Sequence, residues 1–117
     1  MQRTFTLPFA QEGALSGDWV IQFEFPFDVQ LLGFCSYASN VPDATLKIGT
    51  STDDDAYYTA AVVGDDGDTK TVSRTDLVGD QYPHIDKETE ITITVDYDGA
   101  AGTAAQDLAL VFYFTEG

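Results

Sequence analysis

The sequence predicts an all-β protein, an antiparallel β-sandwich of jelly-roll type with seven or eight strands. Apolar residues alternate with polar ones in short stretches, which is the period of a half-buried strand. Turn-forming residues separate these stretches at short intervals, and no long stretch has helical periodicity. This number and spacing of strands is typical of sandwiches, and eight such strands fit a jelly roll of 117 residues.

The clearest strand signals lie near the C-terminus, in residues 90–114. In the first arm Ile91, Ile93 and Val95 alternate with polar residues, which predicts a strand with one solvated face. In the second arm both faces are apolar, which predicts a strand that is buried or covered on both sides. We interpret the two arms as a hairpin joined by a small-residue loop over residues 98–106.

The first predicted strand, residues 3–9, places alternate apolar residues from Phe5 to Phe9 on one face. Pro8 within it indicates an edge strand or the end of a strand, because proline cannot donate a ladder hydrogen bond. Residues 11–17 contain two glycines, which predicts a loop.

The next two predicted strands, residues 18–27 and 29–39, are rich in apolar residues. Pro26 indicates that the earlier one is an edge strand or ends there. Gly33 in the later one indicates a β-bulge or a close backbone approach. A turn is predicted at residues 39–43.

The middle of the chain is less regular. Residues 44–49 predict a short strand with two inward side chains. Residues 56–63 fit either a strand or one to two helical turns capped by the preceding aspartates, and the sequence leaves both open. Residues 69–78 alternate weakly, which predicts an exposed or edge strand, and residues 79–87 predict a long connection.

Size and composition bound the organisation of the chain. Residues 1–117 fit one domain, and a hydrophobic content of 44% is enough for a core without disulfides or metal. Cys35 is the single cysteine, and its apolar surroundings predict a buried thiol. The N-terminus lacks a signal-peptide pattern, and no apolar run approaches the ~18 residues of a membrane span. We therefore expect a soluble protein made in a cytoplasm.

Charge is the strongest compositional feature. The chain has 20 acidic against 5 basic residues, a formal net charge of -15. Such a surface repels phosphate backbones and anionic membranes, so we predict no nucleic-acid partner and no membrane partner. A solvated acidic shell, an adaptation to a salty habitat, cation binding and docking on a basic partner surface all agree with this charge.

Candidate catalytic and metal-binding residues are few. His84 is the single histidine, and no nucleophile motif accompanies it, so we predict a loop imidazole and no catalytic residue. Zinc is not predicted, because the single cysteine lies far along the chain from that histidine. Asp65, Asp66 and Asp68 are the calcium candidates, although the EF-hand pattern is missing. A wet acidic turn is the competing interpretation, and we predict no cofactor.

Aromatic residues allow a second function class. Exposed tyrosines or the single tryptophan on a β-sandwich would suit a carbohydrate- or receptor-binding module. The tyrosines in question are Tyr57, Tyr58, Tyr82 and Tyr97. We expect most of the phenylalanines to fill the core instead.

Three segments carry a resemblance to a known group of proteins. They read L-K-I-G-T-S-T-D-D-D-A-Y at residues 46–57, G-D-Q-Y-P-H-I at residues 79–85, and D-Y-D-G-A-A-G-T-A-A-Q-D followed by F-T-E-G at the C-terminus. The chain resembles small virion structural proteins of tailed bacteriophages and prophages. The resemblance extends from about Leu46 to Gly117 and is weaker before that.

The resemblance implies a capsid decoration (cement) protein, a head fibre base or a tail accessory protein, without enzymatic activity. It implies the major capsid protein and copies of the chain itself as partners, with a homotrimer as one expected state. The location it implies is the virion, assembled in the host cytoplasm. The N-terminal segment, residues 1–9, and the aromatic edges are the predicted contact surface.

Stability should depend on salt. Repulsion among the acidic residues acts over a Debye length of about 30 Å at 0.01 M salt but about 8 Å at 0.15 M. Added sodium chloride should therefore raise the melting temperature, and calcium chloride at equal ionic strength should raise it further if a cation site exists. A melting temperature that neither salt changes would contradict a specific cation site.

Overall fold

The computed structural model describes residues 3–14, 16–40, 44–53, 55–62, 69–96 and 105–116. Nine strands form in these residues: β1 Thr4–Ala14, β2 Trp19–Phe23, β3 Val29–Tyr37, β4 Thr45–Gly49, β5 Tyr58–Val62, β6 Lys70–Val72, β7 His84–Ile85, β8 Ile91–Asp96 and β9 Gln106–Glu116. Two single-turn 3₁₀ helices, Arg74–Asp76 and Val78–Asp80, lie between β6 and β7. No α-helix occurs in this part of the chain.

Two antiparallel sheets pack face to face. Sheet I has the order β1-β9-β3-β6, and β7 also pairs with β3; sheet II has the order β2-β8-β4-β5. Since β6 and β7 pair with different parts of β3, they share one edge position, which gives eight strand positions. The chain crosses between the sheets after every strand except β4 and β6, which is the strand order of a jelly roll, so the predicted all-β sandwich is confirmed.

The predicted C-terminal hairpin is wrong. β8 lies in sheet II between β2 and β4, whereas β9 lies in sheet I between β1 and β3. The alternation identified both strands but carried no information about their partners. The segment between Asp96 and Gln106 is longer than the usual hairpin loop of about 2–5 residues, which was a signal against direct pairing.

β1 is an edge strand and is longer than predicted. Among the described strands it pairs with β9 alone, which explains why Pro8 is tolerated. The predicted loop at residues 11–17 is wrong in its first part, because the strand continues through a bulge. Gly13 adopts a φ of 77° there. Its N–H donates to Asp107 Oδ1 at 2.9 Å, which fastens the end of β1 to the start of β9.

β2 ends at Phe23, before Pro26, and occupies an edge of sheet II. The bulge predicted in the third strand is confirmed by a register shift between Leu31 and Gly33. Gly33 has a φ of 150°, and a Cβ atom there would overlap the carbonyl oxygen of Val72. The absence of a side chain at this position therefore lets β6 approach β3.

Tertiary contacts decide which elements form in the irregular middle of the chain. The segment with two interpretations, residues 56–63, contains strand β5. The strand predicted over residues 69–78 is limited to β6, because the Asp76 carboxylate accepts a hydrogen bond from the Ser73 N–H at 3.1 Å and the chain turns into a 3₁₀ helix. The predicted connection, residues 79–87, contains the short strand β7.

Phenylalanine rings join the two sheets beside the edge strands β1 and β2. Phe25 lies 5.3 Å from Phe5 and 5.2 Å from Phe114, measured between ring centroids. Phe9 lies 6.2 Å from Phe23, on the strand opposite. Each such pair adds about 0.5–1.5 kcal/mol beyond the burial of its area. The rings thus close one side of the sandwich, as the sequence predicted for most phenylalanines.

Gly33→Ala should destabilise the fold by about 2 kcal/mol or more, because the new methyl group must displace the backbone of β6. Gly13→Ala is the matched control. It also places alanine at positive φ but meets no atom within 4 Å, so it should cost only about 1 kcal/mol of backbone strain. Urea unfolding measures the free energy of unfolding of both variants and of the unmodified chain. Equal losses would show that the approach of β6 does not depend on Gly33.

Candidate functional site

The outward side of sheet I is free of charge between the ends of its long strands. Inward residues alternate with outward ones along β9, along β1 as far as Gln11, and on each side of the bulge in β3. The outward positions, with one from β6, are Thr4, Thr6, Pro8, Ala10, Gln30, Leu32, Cys35, Tyr37, Thr71, Ala109, Val111 and Tyr113. We call this surface the uncharged face. None of these residues is acidic or basic, although the whole chain has a net charge of -15.

The dimensions of the uncharged face follow from strand geometry. About seven residues per strand and four neighbouring strands give a surface of about 20 Å by 14 Å, or about 300 Å². Tyr113 is 36% exposed at its centre, and Val111 beside it is half-buried. An exposed apolar patch of a few hundred Å² is often an interaction site.

A depression of about 540 Å³ lies on the uncharged face. Thr6 from β1 and Tyr113 from β9 line it on one side, and Leu32 and Thr71 line it on the other. Gly33 also borders this space and contributes no side chain to fill it. The lining is mostly methyl, methylene and aromatic carbon with hydroxyl groups, so it suits an apolar or hydroxyl-bearing partner group.

Cys35 forms the polar centre of the uncharged face. Its Sγ lies 3.3 Å from the Tyr113 hydroxyl and 3.8 Å from Thr71 Oγ1. The predicted buried thiol is half-buried and faces outward. The hydrogen bond with Cys35 raises the pKa of Tyr113, and repulsion from the charge of an ionised Cys35 adds to it. Tyr113 therefore stays neutral near pH 7, and the face stays uncharged.

Carboxylates lie at the ends of strands and in connections. Within the described strands the acidic residues are Glu12, Asp96, Asp107 and Glu116. Each lies within three residues of a strand end. In sheet I the described strand carboxylates therefore lie near the strand ends and outside the uncharged face.

The outward side of sheet II is less uniform. Val20 pairs with Thr94, and Thr94 pairs with Lys47, so a cation lies near the middle of this side. Glu90 Oε1 accepts a hydrogen bond from Gln22 Nε2 at 3.1 Å at its margin. We therefore place the candidate interaction site on sheet I.

A second cluster of functional side chains lies where β3 begins. His84 Nε2 is 3.8 Å from Asp28 Oδ2 and 3.2 Å from Asp86 Oδ1. All three residues are exposed. The sequence pattern predicts a loop imidazole at His84 and does not predict this cluster. The H-x-D spacing in an extended segment was the available signal, because residues two apart in a strand share a face.

The calcium candidates Asp65, Asp66 and Asp68 lie outside the described residues. The sequence contains one histidine and one cysteine, so a structural zinc site of clustered cysteines and histidines cannot form within one chain. Part of the predicted contact segment lies outside the described residues, namely Met1 and Gln2. Within residues 3–9, strand β1 contributes Thr4, Thr6 and Pro8 to the uncharged face.

The aromatic residues proposed for sugar binding are dispersed. Tyr58 is buried, and burial followed by repulsion from Asp76 raises its pKa. Burial followed by repulsion from Asp86 raises the pKa of Tyr57. Tyr82 is 43% exposed. Trp19 packs partly buried against the core, and Tyr97 lies outside the described residues.

No helix in the described ranges is long and apolar enough to cross a membrane. Neither known protein families nor curated protein sequences match the chain. Solved structures do match it. A chain of the cyanophage Pam1 capsid asymmetric unit superposes with a TM-score of 0.59 at 17% identity, over 97% of this chain and 82% of that one. This comparison shows a shared fold.

Two further structures show lower similarity. The C-terminal CBM6 of LamC, a marine laminarinase from Zobellia galactanivorans, gives a TM-score of 0.43 at 7% identity, over 98% of this chain and 100% of that one. A chain in the structure of the infectious bursal disease virus Gx strain gives a TM-score of 0.35 at 15% identity, over 100% of this chain and 32% of that one. TM-scores this low carry no functional argument.

Cys35→Ala should lower the pKa of Tyr113 toward the ordinary tyrosine value of about 10, because the hydrogen bond that favours the neutral phenol is lost. NMR titration of labelled tyrosine rings measures the shift, and Tyr113→Phe assigns the resonance. Cys35→Ser, which replaces the thiol with a hydroxyl that can still hydrogen-bond to Tyr113, should retain part of the effect. An unchanged or higher Tyr113 pKa in Cys35→Ala would contradict the contact.

Proposed function

We propose that this protein is a non-enzymatic virion structural protein that decorates a phage head and stabilises its lattice. The observation that carries the proposal is the uncharged face. A chain with a net charge of -15 keeps one side of one sheet free of charge and partly apolar. A surface that serves only solubility would have no reason to exclude carboxylates from this area.

The fold supports the same function. Jelly rolls occur in viral capsid and lectin domains. The structural match with a chain of a cyanophage capsid asymmetric unit extends over 97% of this chain and 82% of that one. The sequence segments that resemble phage virion proteins are a separate line of support. We therefore infer a virion location, with assembly in the host cytoplasm.

The size of the uncharged face indicates how the protein would bind. A stable interface buries about 800 Å² on each partner, whereas this face presents about 300 Å². One contact of this size is weak. Many copies on a repetitive lattice, or a closed oligomer such as a homotrimer, would add contacts and raise the avidity. We infer the major capsid protein and further copies of this chain as partners.

The acidic margin has a role in this proposal. Two copies that approach through loops rich in aspartate repel each other. The uncharged face permits contact without that repulsion, so charge would direct which surface docks. The carboxylates that remain outward would keep virions dispersed.

Sugar or receptor binding is the second candidate function. The exposed hydroxyl-rich depression beside Tyr113 is the observation that favours it, because sugars bind on aromatic rings with neighbouring hydrogen-bonding groups. A glycan screen separates the two functions. Saturable binding of a glycan without capsids, lost in Tyr113→Ala, would favour the carbohydrate- or receptor-binding function.

Val111→Glu should prevent binding to capsids assembled without this protein, because it places a charge at the centre of the uncharged face. Val20→Glu is the matched control, since Val20 is 51% exposed on the outward side of sheet II. Cosedimentation with capsids measures the bound fraction. We expect the affinity of Val111→Glu to fall by about tenfold or more, equivalent to about 1.4 kcal/mol.

Thr6→Glu provides a second variant at an exposed position of β1, in case Val111→Glu lowers stability. It should reduce binding as well, with an unchanged melting temperature. Binding that survives both substitutions on the uncharged face, or that Val20→Glu abolishes, would contradict the assignment of this surface.

A further inference from the structure

We propose that Asp28, His84 and Asp86 form a binding site for a divalent transition-metal ion, with Zn²⁺ as the preferred ion. The site lies at the end of sheet I where β3 begins, at the border of the uncharged face, because His84 pairs with Gln30. The inference does not depend on the proposed function. Three observations carry it: the distances between the ligand atoms, the backbone that fixes them, and the repulsion that an ion would remove.

The distances fit a tetrahedral ion. Zinc–nitrogen and zinc–oxygen bonds of about 2.0–2.1 Å place neighbouring ligand atoms about 3.3 Å apart in a tetrahedron. His84 Nε2 lies 3.2 Å from Asp86 Oδ1 and 3.8 Å from Asp28 Oδ2. The three ligand atoms all lie within 4.8 Å of one another. Three protein ligands leave the fourth position for water or a further donor.

The backbone fixes the three residues independently of any ion. Ile85 is buried and pairs with Val29, so β7 is anchored in the core. His84 and Asp86 flank Ile85 and share the opposite, outward side of the strand. The Leu31 N–H donates to the carbonyl oxygen of Pro83 at 3.2 Å, which extends this anchorage.

Asp28 is also oriented. Its Oδ1 accepts a hydrogen bond from the Lys87 N–H at 2.8 Å, which leaves Oδ2 directed at His84. A hydrogen bond that orients a metal-binding carboxylate is usual in protein metal sites. The connection before β3 and the segment after β7 are thus held together at this point.

Two aspartates face each other at this point, and a bound cation would relieve their repulsion. Since Val29 pairs with Ile85, the next positions along the two antiparallel strands are Asp28 and Asp86. Like charges opposite each other destabilise a sheet. Glu116 and Lys87 both line the depression beside Asp28 and have opposite charges, so the repulsion comes from the two aspartates. A divalent ion would offset these charges and join the two segments.

The donor set selects the class of ion. Calcium and magnesium prefer oxygen ligands, whereas imidazole nitrogen with carboxylate oxygen suits zinc and its neighbours among the transition metals. The site therefore differs in chemistry from the all-carboxylate calcium candidates of the sequence analysis. A protonated His84 between two carboxylates, without an ion, is the arrangement that the experiment must distinguish.

Isothermal titration of the chelator-treated full chain with zinc chloride tests the site. We expect one saturable ion per chain, and calcium chloride should not compete. Asp28→Asn, Asp86→Asn and His84→Gln should each weaken zinc binding by at least about tenfold, the lower end of the loss seen when even a supporting partner of a metal ligand is removed. All three residues are exposed, so the variants should fold.

Glu12→Gln is the matched control, because it removes one exposed carboxylate near the opposite end of sheet I. Zinc should raise the melting temperature of the unmodified chain and of Glu12→Gln, but not that of His84→Gln. Unchanged zinc affinity in His84→Gln, equal competition by calcium, or no saturable binding would each overturn the proposal.

Discussion

Burial of the inner side of β9 is the constraint on which the rest of the structure depends. Phe112 and Phe114 are fully buried, and each such side chain contributes about 1.5–3 kcal/mol. β9 pairs with β1 on one side and β3 on the other, so it joins most of sheet I. Phe114 also contacts Phe25, beyond the end of β2, and thereby connects the sheets. Because alternate residues of β9 point inward, the others form the centre of the uncharged face.

The position of that face explains how a strongly acidic chain can join an assembly. Carboxylates at strand ends and in connections give solubility and repel other copies at short range. The uncharged face contains the hydroxyl of Tyr113 and the thiol of Cys35, which satisfy each other across two strands. A partner therefore meets a central thiol and phenol that already share a hydrogen bond, and docking does not require the removal of a charge from water.

The sequence predicts strands well where burial on one side is strong, and it predicts partners poorly. Alternation identified β1, β2, β3, β8 and β9, and Gly33 indicated its bulge, because these signals are local. The pairing of β9 with β1 and β3 depends on contacts distant in sequence, which periodicity does not encode. Asp28 and His84 meet for the same reason, since only the pairing of β7 with β3 brings them together. The weak alternation of residues after Val72 predicted a longer strand, but the turn that Asp76 stabilises ends the strand there.

Protection of the Cys35 thiol tests the central claim most directly. Cys35 is the single cysteine of the chain and lies at the centre of the uncharged face. The rate of its reaction with a maleimide can be followed by mass spectrometry of this chain, free and bound to capsids. The account predicts a marked slowing on bound copies. An equal rate on free and bound copies would show that another surface makes the contact.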